Sequence, residues 1–265
     1  MPISPLLLSG VFLFGLMVGS FLNVCIWRIP EREQIVTGRS HCRRCGKKIF
    51  WYDNIPLVSF ALLKGRCRQC GLPISWGYPF TELAAGLLLV GVVAKFGWTM
   101  LALVYAVFLM ELLLLAMIDL REMILPDEIT LPGVSLGVVA SFFVPALQEA
   151  ISPWGGLWAA VIGALVGGGV IWLVGLLGGW LFKREAMGFG DVKLMAMVGA
   201  FIGWPKVLLV NFILAPLLGA AVGVVLKFRY GRDIIPYGPF LTLGTLIVVF
   251  WGNDLIRWYS GLLRF

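Results

Sequence analysis

Two aspartates lie in apolar surroundings where an ionisable side chain is hard to explain by structure alone. Asp119 ends an apolar run in AMIDLREM, and Asp191 opens another after the glycine turn in AMGFGDVK. A charged group in a membrane segment is unfavourable and marks a functional site by default. Two carboxyls that share one proton can activate water and protonate a leaving amine, which is peptide hydrolysis. The alternative is that Asp191 only caps a helix and Asp119 is only an interfacial acid.

A second constellation consists of two Cys-x-x-Cys motifs. CRRC covers residues 42–45 and CRQC covers residues 67–70, with 21 residues between them. This spacing is typical of a structural zinc site in which four thiolates complete a tetrahedral shell with no open position. The alternative is a pair of disulfides or a redox dithiol. We therefore expect zinc as a structural cofactor; its ligands are Cys42, Cys45, Cys67 and Cys70.

The elements that position these residues are membrane helices. Of the 265 residues, 60% are hydrophobic and only 13% are charged, which is far outside the range of soluble domains. Apolar runs predict about eight transmembrane helices, of which the first is a retained helix rather than a cleaved signal peptide. The runs are 5–27, 80–97, 98–118, 132–148, 154–181, 191–204, 206–227 and 238–260. The short run 191–204 can also form a re-entrant unit with the run that follows it.

The distribution of basic residues predicts the orientation. With the N-terminus outside, all but four of the 21 Lys and Arg residues fall on the inner side, as the positive-inside rule requires. The exceptions are Lys95, Lys206, Arg257 and Arg264. The net charge of +7 is then explained by topology, so we expect anionic lipids and no nucleic acid as partners. The cysteine motifs are placed in the reducing cytoplasm, which favours zinc over disulfides.

Several longer blocks resemble the type IV prepilin peptidases, which also serve type II secretion pseudopilins. The motif GFGD matches the Gly-x-Gly-Asp motif of intramembrane aspartyl proteases. The other matching blocks are GSFLNVCIWRIP (19–30), the cysteine segment (42–71), GYPFTELAAG (77–86), IDLREMILPDEITLP (118–132) and PYGPFLTLG (236–244). The resemblance covers nearly the whole chain. It implies that Asp119 and Asp191 are the catalytic pair and that the four cysteines are metal ligands.

The resemblance also implies two reactions, in the bacterial inner membrane. The first removes a short basic leader from a prepilin or pseudopilin, and the second N-methylates the new terminus with S-adenosylmethionine as methyl donor. No dinucleotide-type glycine fingerprint is visible, so a cofactor site would have to be built from residues 28–86 and helix ends. Glu82 and Gly86 are the candidates, although a structural role for both is equally compatible with the sequence.

The sequence thus predicts an all-α polytopic membrane protein with a small cytoplasmic zinc-binding domain. Residues 1–27 form the first transmembrane helix, 28–78 the four-cysteine zinc domain, and 79–265 a seven-helix aspartyl protease domain. A proton- or ion-coupled transporter with a structural zinc domain is the alternative, in which Asp119 and Asp191 bind ions. Transporters usually place such acids near the bilayer midplane and contain repeated halves, whereas here both acids lie at one face.

Overall fold

The computed structural model describes residues 4–35, 40–183, 187–231 and 235–262, and its regular elements in this part of the chain are helices. The longer helices are α1 (Pro5–Arg28), α3 (Gly77–Phe96), α4 (Met100–Glu122), α5 (Asp127–Phe143), α6 (Pro153–Phe182), α7 (Phe189–Ile202), α9 (Ala215–Tyr230) and α10 (Gly238–Leu262). Two short helices are α2 (Val58–Leu62) and α8 (Trp204–Leu209). Short 3₁₀ turns cover Trp51–Asn54 and Pro145–Gln148, and a π-turn covers Val210–Leu214.

Six helical segments are long and apolar enough to cross a membrane, which confirms a multi-pass membrane protein. They are Pro5–Arg28, Gly77–Phe96, Met100–Glu122, Pro153–Leu181, Trp204–Arg229 and Gly238–Trp258. The prediction of eight spans is not confirmed. The remaining two helices, α5 and α7, have 17 and 14 residues, whereas a full crossing needs about 20. The predicted orientation stays a prediction, and Arg264 lies outside the described residues.

Proline and glycine residues at the helix ends explain why α5 and α7 are short. The predicted run 132–148 ends early because α5 stops at Phe143 and Pro145 begins a 3₁₀ turn. Helix α7 stops at Gly203, whose φ of +78° is left-handed, and Pro205 follows in the next helix. Glycine adopts this backbone readily, whereas other residues are strained there. The apolar runs in the sequence therefore extend beyond the residues at which these helices end.

The chain divides by packing into two compact units, residues 1–118 and 119–265. In the first unit, α1 packs closely on α3 because glycines face the contact. A Cβ added at Gly15 would lie 2.7 Å from Cα of Gly86, and one at Gly19 would lie 2.6 Å from Cα of Glu82. The predicted domains 1–27, 28–78 and 79–265 were defined by their expected functions rather than by packing, and they stay a prediction.

In the second unit, α7 is enclosed by α5 and α6. A Cβ at Gly199 of α7 would collide with the backbone of Gly163 in α6, and Gly137 of α5 leaves room for Phe201. Small residues allow such backbone contact between membrane helices, where lipid removes the hydrophobic drive to associate. Most of α7 is consequently buried, and this holds the residues at its N-terminus in a fixed position.

Candidate active site and metal centre

Asp119 lies in the last turn of α4 and is buried, with 5% of the residue exposed. Its Oδ2 accepts a hydrogen bond of 3.0 Å from the backbone N–H of Gly238, which is the first residue of α10. The positive end of the α10 dipole is therefore directed at this carboxylate. A side chain at residue 238 would displace this carboxyl, because a Cβ there would lie 2.6 Å from the same oxygen.

Asp191 is the third residue of α7 and is also buried. The N-cap is Gly188 rather than Asp191, and the Asp191 carboxylate interacts with the backbone N–H of Gly188, as the acid of a capping box does. Gly190 allows α7 to approach the loop before α5, since a Cβ there would lie 3.0 Å from Cβ of Leu125. The glycine turn thus serves close packing, and Asp191 contributes to the helix start from position N3.

The structure brings the two aspartates together within the second unit. Asp119 and Asp191 are close enough for their charges to interact. Tyr237 lies within electrostatic range of Asp191 and directly precedes Gly238 in the chain. Burial and the charge of Asp191 raise the pKa of Tyr237 to about 12, so its hydroxyl keeps its proton at neutral pH. Two buried carboxyls and a protonated phenol therefore converge on one region at the ends of α4, α7 and α10.

Two groups near this region were not singled out from the sequence. Tyr237 lies in the block PYGPFLTLG, and its position in this block is the sequence feature that could have indicated it. No sequence pattern indicated a role for Lys193, because its ion-pair partner lies far away in the chain. Its Nζ lies 2.6 and 2.7 Å from the two carboxylate oxygens of Asp127. This ion pair joins the first turn of α5 to the first turns of α7, beside Asp191.

The four predicted metal ligands form one cluster. The Sγ atoms of Cys42, Cys45, Cys67 and Cys70 all lie within 4.8 Å of one another, and those of Cys42 and Cys70 are 4.0 Å apart. Tetrahedral zinc with bonds of about 2.3 Å requires sulfur atoms about 3.8 Å apart, so the donor set fits the ion. None of these four cysteines is in a disulfide.

Both motifs fold into the same turn. The N–H of Cys42 donates to O of Lys47, and the N–H of Cys67 donates to O of Leu72, each at 2.9 Å. Gly46 and Gly71 follow the second cysteines, and both have φ of +70°, a conformation that favours glycine. The two halves of the cluster are therefore copies of one local structure.

The two predicted cofactor residues lie in different environments. Glu82 is buried in the wall of a cavity of about 450 Å³ that lies within the first unit, between the cysteine segment and helices α1 and α3. Gly86 is not among its lining residues. A Cβ on Gly86 would lie 2.8 Å from the ring of Phe12, so this glycine serves the contact between α1 and α3. The cofactor roles of both residues stay predictions.

Two family models match this chain, one in its N-terminal part and one in its C-terminal part. The bacterial peptidase A24 N-terminal domain matches residues 13–96, which include the cysteine cluster, and the type IV leader peptidase family matches residues 106–224, which include Asp119 and Asp191. An Aeromonas hydrophila protein named prepilin leader peptidase/N-methyltransferase is 37% identical over 95% of this chain and 93% of its own length.

The chain belongs to the type IV leader peptidase family. This confirms the resemblance found in the sequence and the assignment to an enzyme family of peptidases. A Pseudomonas aeruginosa relative with the same name is 36% identical over 93% of this chain and 91% of its length. A Myxococcus xanthus relative is 44% identical over 86% of this chain, and the match spans 65% of that relative. No solved structure matches the chain. These relatives give no support to the transporter alternative.

Proposed function

We propose that this protein is a membrane aspartyl endopeptidase. It removes the basic leader from type IV prepilins or type II secretion pseudopilins, and it then N-methylates the new N-terminal residue. The observation that carries the proposal is the pair of buried carboxyls, Asp119 and Asp191, held at helix ends in one packed unit and close enough to interact. The names of the relatives supply the substrate class and the second reaction.

Leader removal requires the two carboxyls to hold one proton between them. The ionised carboxylate takes a proton from a water molecule, whose oxygen attacks the scissile carbonyl carbon. The protonated carboxyl donates its proton to the leaving nitrogen as the C–N bond breaks. The pair ends the cycle with one proton again. The apolar N-terminal segment of the precursor is the natural partner of such a site, because it can enter from the lipid.

Methylation follows because hydrolysis releases the amine that the second reaction needs. S-adenosylmethionine supplies an electrophilic methyl group on a sulfonium. The neutral amine of the new N-terminus forms the N–C bond as the S–C bond breaks; S-adenosylhomocysteine leaves, and the amine releases a proton to water. The residues that hold this donor need not include the acid pair. The two activities can therefore be carried by different units of the chain.

The cysteine cluster has a structural role in this proposal. Zinc would be held by Cys42, Cys45, Cys67 and Cys70, which leave no open position for a substrate. The segment between α1 and α3 is too small for a core of its own, so the metal stabilises its fold. We place the cluster on the cytoplasmic side of the bacterial inner membrane, with the N-terminus outside, in agreement with the distribution of Lys and Arg.

The direct test uses purified protein, a full-length prepilin and S-adenosylmethionine. Mass spectrometry should detect the loss of the leader and the gain of one methyl group on the new N-terminus. An intact precursor after incubation, with folded protein present throughout, would refute the peptidase proposal. Cleavage without any methyl transfer would leave a peptidase only.

A further inference from the structure

We infer that the cavity in the first unit is the binding site for the methyl donor, with the Glu82 carboxylate facing the cationic sulfonium. The inference rests on the proposed methyl transfer. The cavity volume of about 450 Å³ falls in the range of small-molecule sites. Its wall contains the aromatic side chains of Trp27, Phe60 and Tyr78 beside polar groups such as Glu82, a composition that suits an adenosyl group.

Among the six basic and two acidic residues that line the cavity, the acid Glu82 is the group that suits a cationic ligand. Glu82 is 8% exposed, and its Oε2 accepts a 2.9 Å hydrogen bond from the N–H of Leu57. Its other hydrogen-bond partners are the neutral side chains of Ser20 and Asn23. Within the described residues, Glu82 has no ion-pair partner. A buried carboxylate without a counter-charge is stabilised by a bound cation, and a sulfonium supplies one.

Three of the six basic side chains that line the cavity form ion pairs, which distinguishes them from Glu82. The buried Arg28 lies 3.9 Å from Glu33. Arg43 lies 3.0 Å from Glu31, and Arg68 forms a bidentate pair with Asp53 at 2.7 to 3.1 Å. Their charges are therefore compensated within the protein. The other three basic lining residues are exposed, and they suit the carboxylate of the donor's methionine group; they are Arg44, Lys47 and Lys48.

Glu82 also has a structural task that any test must separate from ligand binding. The N–H that it accepts belongs to Leu57, whose φ of +59° is strained for a residue with a side chain. Glutamine retains an acceptor oxygen for this N–H but removes the charge. The substitution Glu82→Gln therefore keeps an acceptor for the turn and removes the charge that would face a sulfonium.

The experiment measures binding of two probes to the purified full-length protein in detergent by equilibrium dialysis. S-adenosylmethionine carries the sulfonium, and S-adenosylhomocysteine is its neutral thioether. We expect Glu82→Gln to weaken S-adenosylmethionine binding by about tenfold or more and S-adenosylhomocysteine binding by less than about threefold. Glu111→Gln is the matched control, because Glu111 is a membrane glutamate that does not line the cavity, and it should bind both as wild type does.

A second variant tests the position of the site independently of Glu82. Val24 lines the cavity, and Val24→Trp should fill it, abolishing binding of both probes while prepilin cleavage continues. Binding of S-adenosylmethionine at wild-type affinity by either Glu82→Gln or Val24→Trp would overturn the inference. A wild-type protein that cleaves prepilin but neither binds nor uses the donor would instead overturn the proposed methyl transfer.

Discussion

The backbone N–H of Gly238 donates a hydrogen bond of 3.0 Å to Oδ2 of Asp119 across 119 positions of sequence. The contact holds the carboxyl at the start of α10, and it leaves no space for a side chain on residue 238. A proposed catalytic side chain is thus positioned by a glycine from another helix.

The substitution Gly238→Ala should consequently displace the Asp119 carboxyl, since the new Cβ would lie 2.6 Å from Oδ2 in the present structure. We expect kcat for leader cleavage to fall by about 10²-fold, a typical result of misplacing a reacting group by about 1 Å. The matched control is Gly169→Ala, because residue 169 lies in α6 with no atom within 4 Å of an added Cβ. Cleavage by both variants at the wild-type rate would exclude the positioning role of Gly238.

Tyr237 should remain protonated throughout the working pH range of the enzyme. An unfolded tyrosine ionises near pH 10, whereas burial and the Asp191 charge raise the pKa of Tyr237 to about 12 in the folded protein. The contribution of Tyr237 to the free energy of unfolding is therefore fully present below about pH 10, and it is lost as the pH rises through about 12. Tyr237→Phe should lack this part of the alkaline loss, measured by denaturation at increasing pH.

Leader cleavage should have an acid limb and an alkaline limb in its pH profile, and both belong to the coupled carboxyls Asp119 and Asp191. Tyr237→Phe should retain both limbs, because the phenol does not titrate in this range. Loss of the alkaline limb in Tyr237→Phe would show that Tyr237 itself titrates during catalysis.

The cysteine cluster predicts that purified protein contains about one zinc per chain. Cys67→Ser should lose most of the metal and make residues 28–78 sensitive to proteolysis, because the metal replaces a core in this segment. Cys25→Ala is the control, since Cys25 is buried in α1 outside the cluster. Elemental analysis provides the measurement. A folded, metal-free wild type with two disulfides would contradict both the zinc assignment and the cytoplasmic placement.

Local patterns in the sequence predicted much of this arrangement. The repeated Cys-x-x-Cys-Gly pattern specifies a turn and a ligand set within a few residues, so the cluster was foreseeable. Apolar runs located the helices, because burial in lipid depends on composition. The glycine turn before Asp191 was also visible, although its role in packing against Leu125 was not.

Long-range contacts set the limit of prediction. The hydrogen bond from Gly238 to Asp119 and the ion pair of Lys193 with Asp127 join distant segments, and no local sequence pattern indicates either pairing. Gly86 resembled a cofactor residue because its contact with Phe12 of α1 is invisible in the sequence. The end of α5 was predicted too late because apolar residues continue to position 148, whereas α5 ends at Phe143 and Pro145 begins a 3₁₀ turn.

The most direct test of the account is leader cleavage by Asp119→Asn and Asp191→Asn, compared with wild type at equal levels of inserted, folded protein. Each variant should lose cleavage, because one acid cannot act as both base and acid in a cycle. Asparagine keeps an acceptor for the Gly188 N–H, so a purely structural Asp191 would tolerate the change. Both variants should still methylate a pre-cleaved substrate. Near-normal cleavage of a prepilin by Asp191→Asn would contradict the assignment of the acid pair as the protease site.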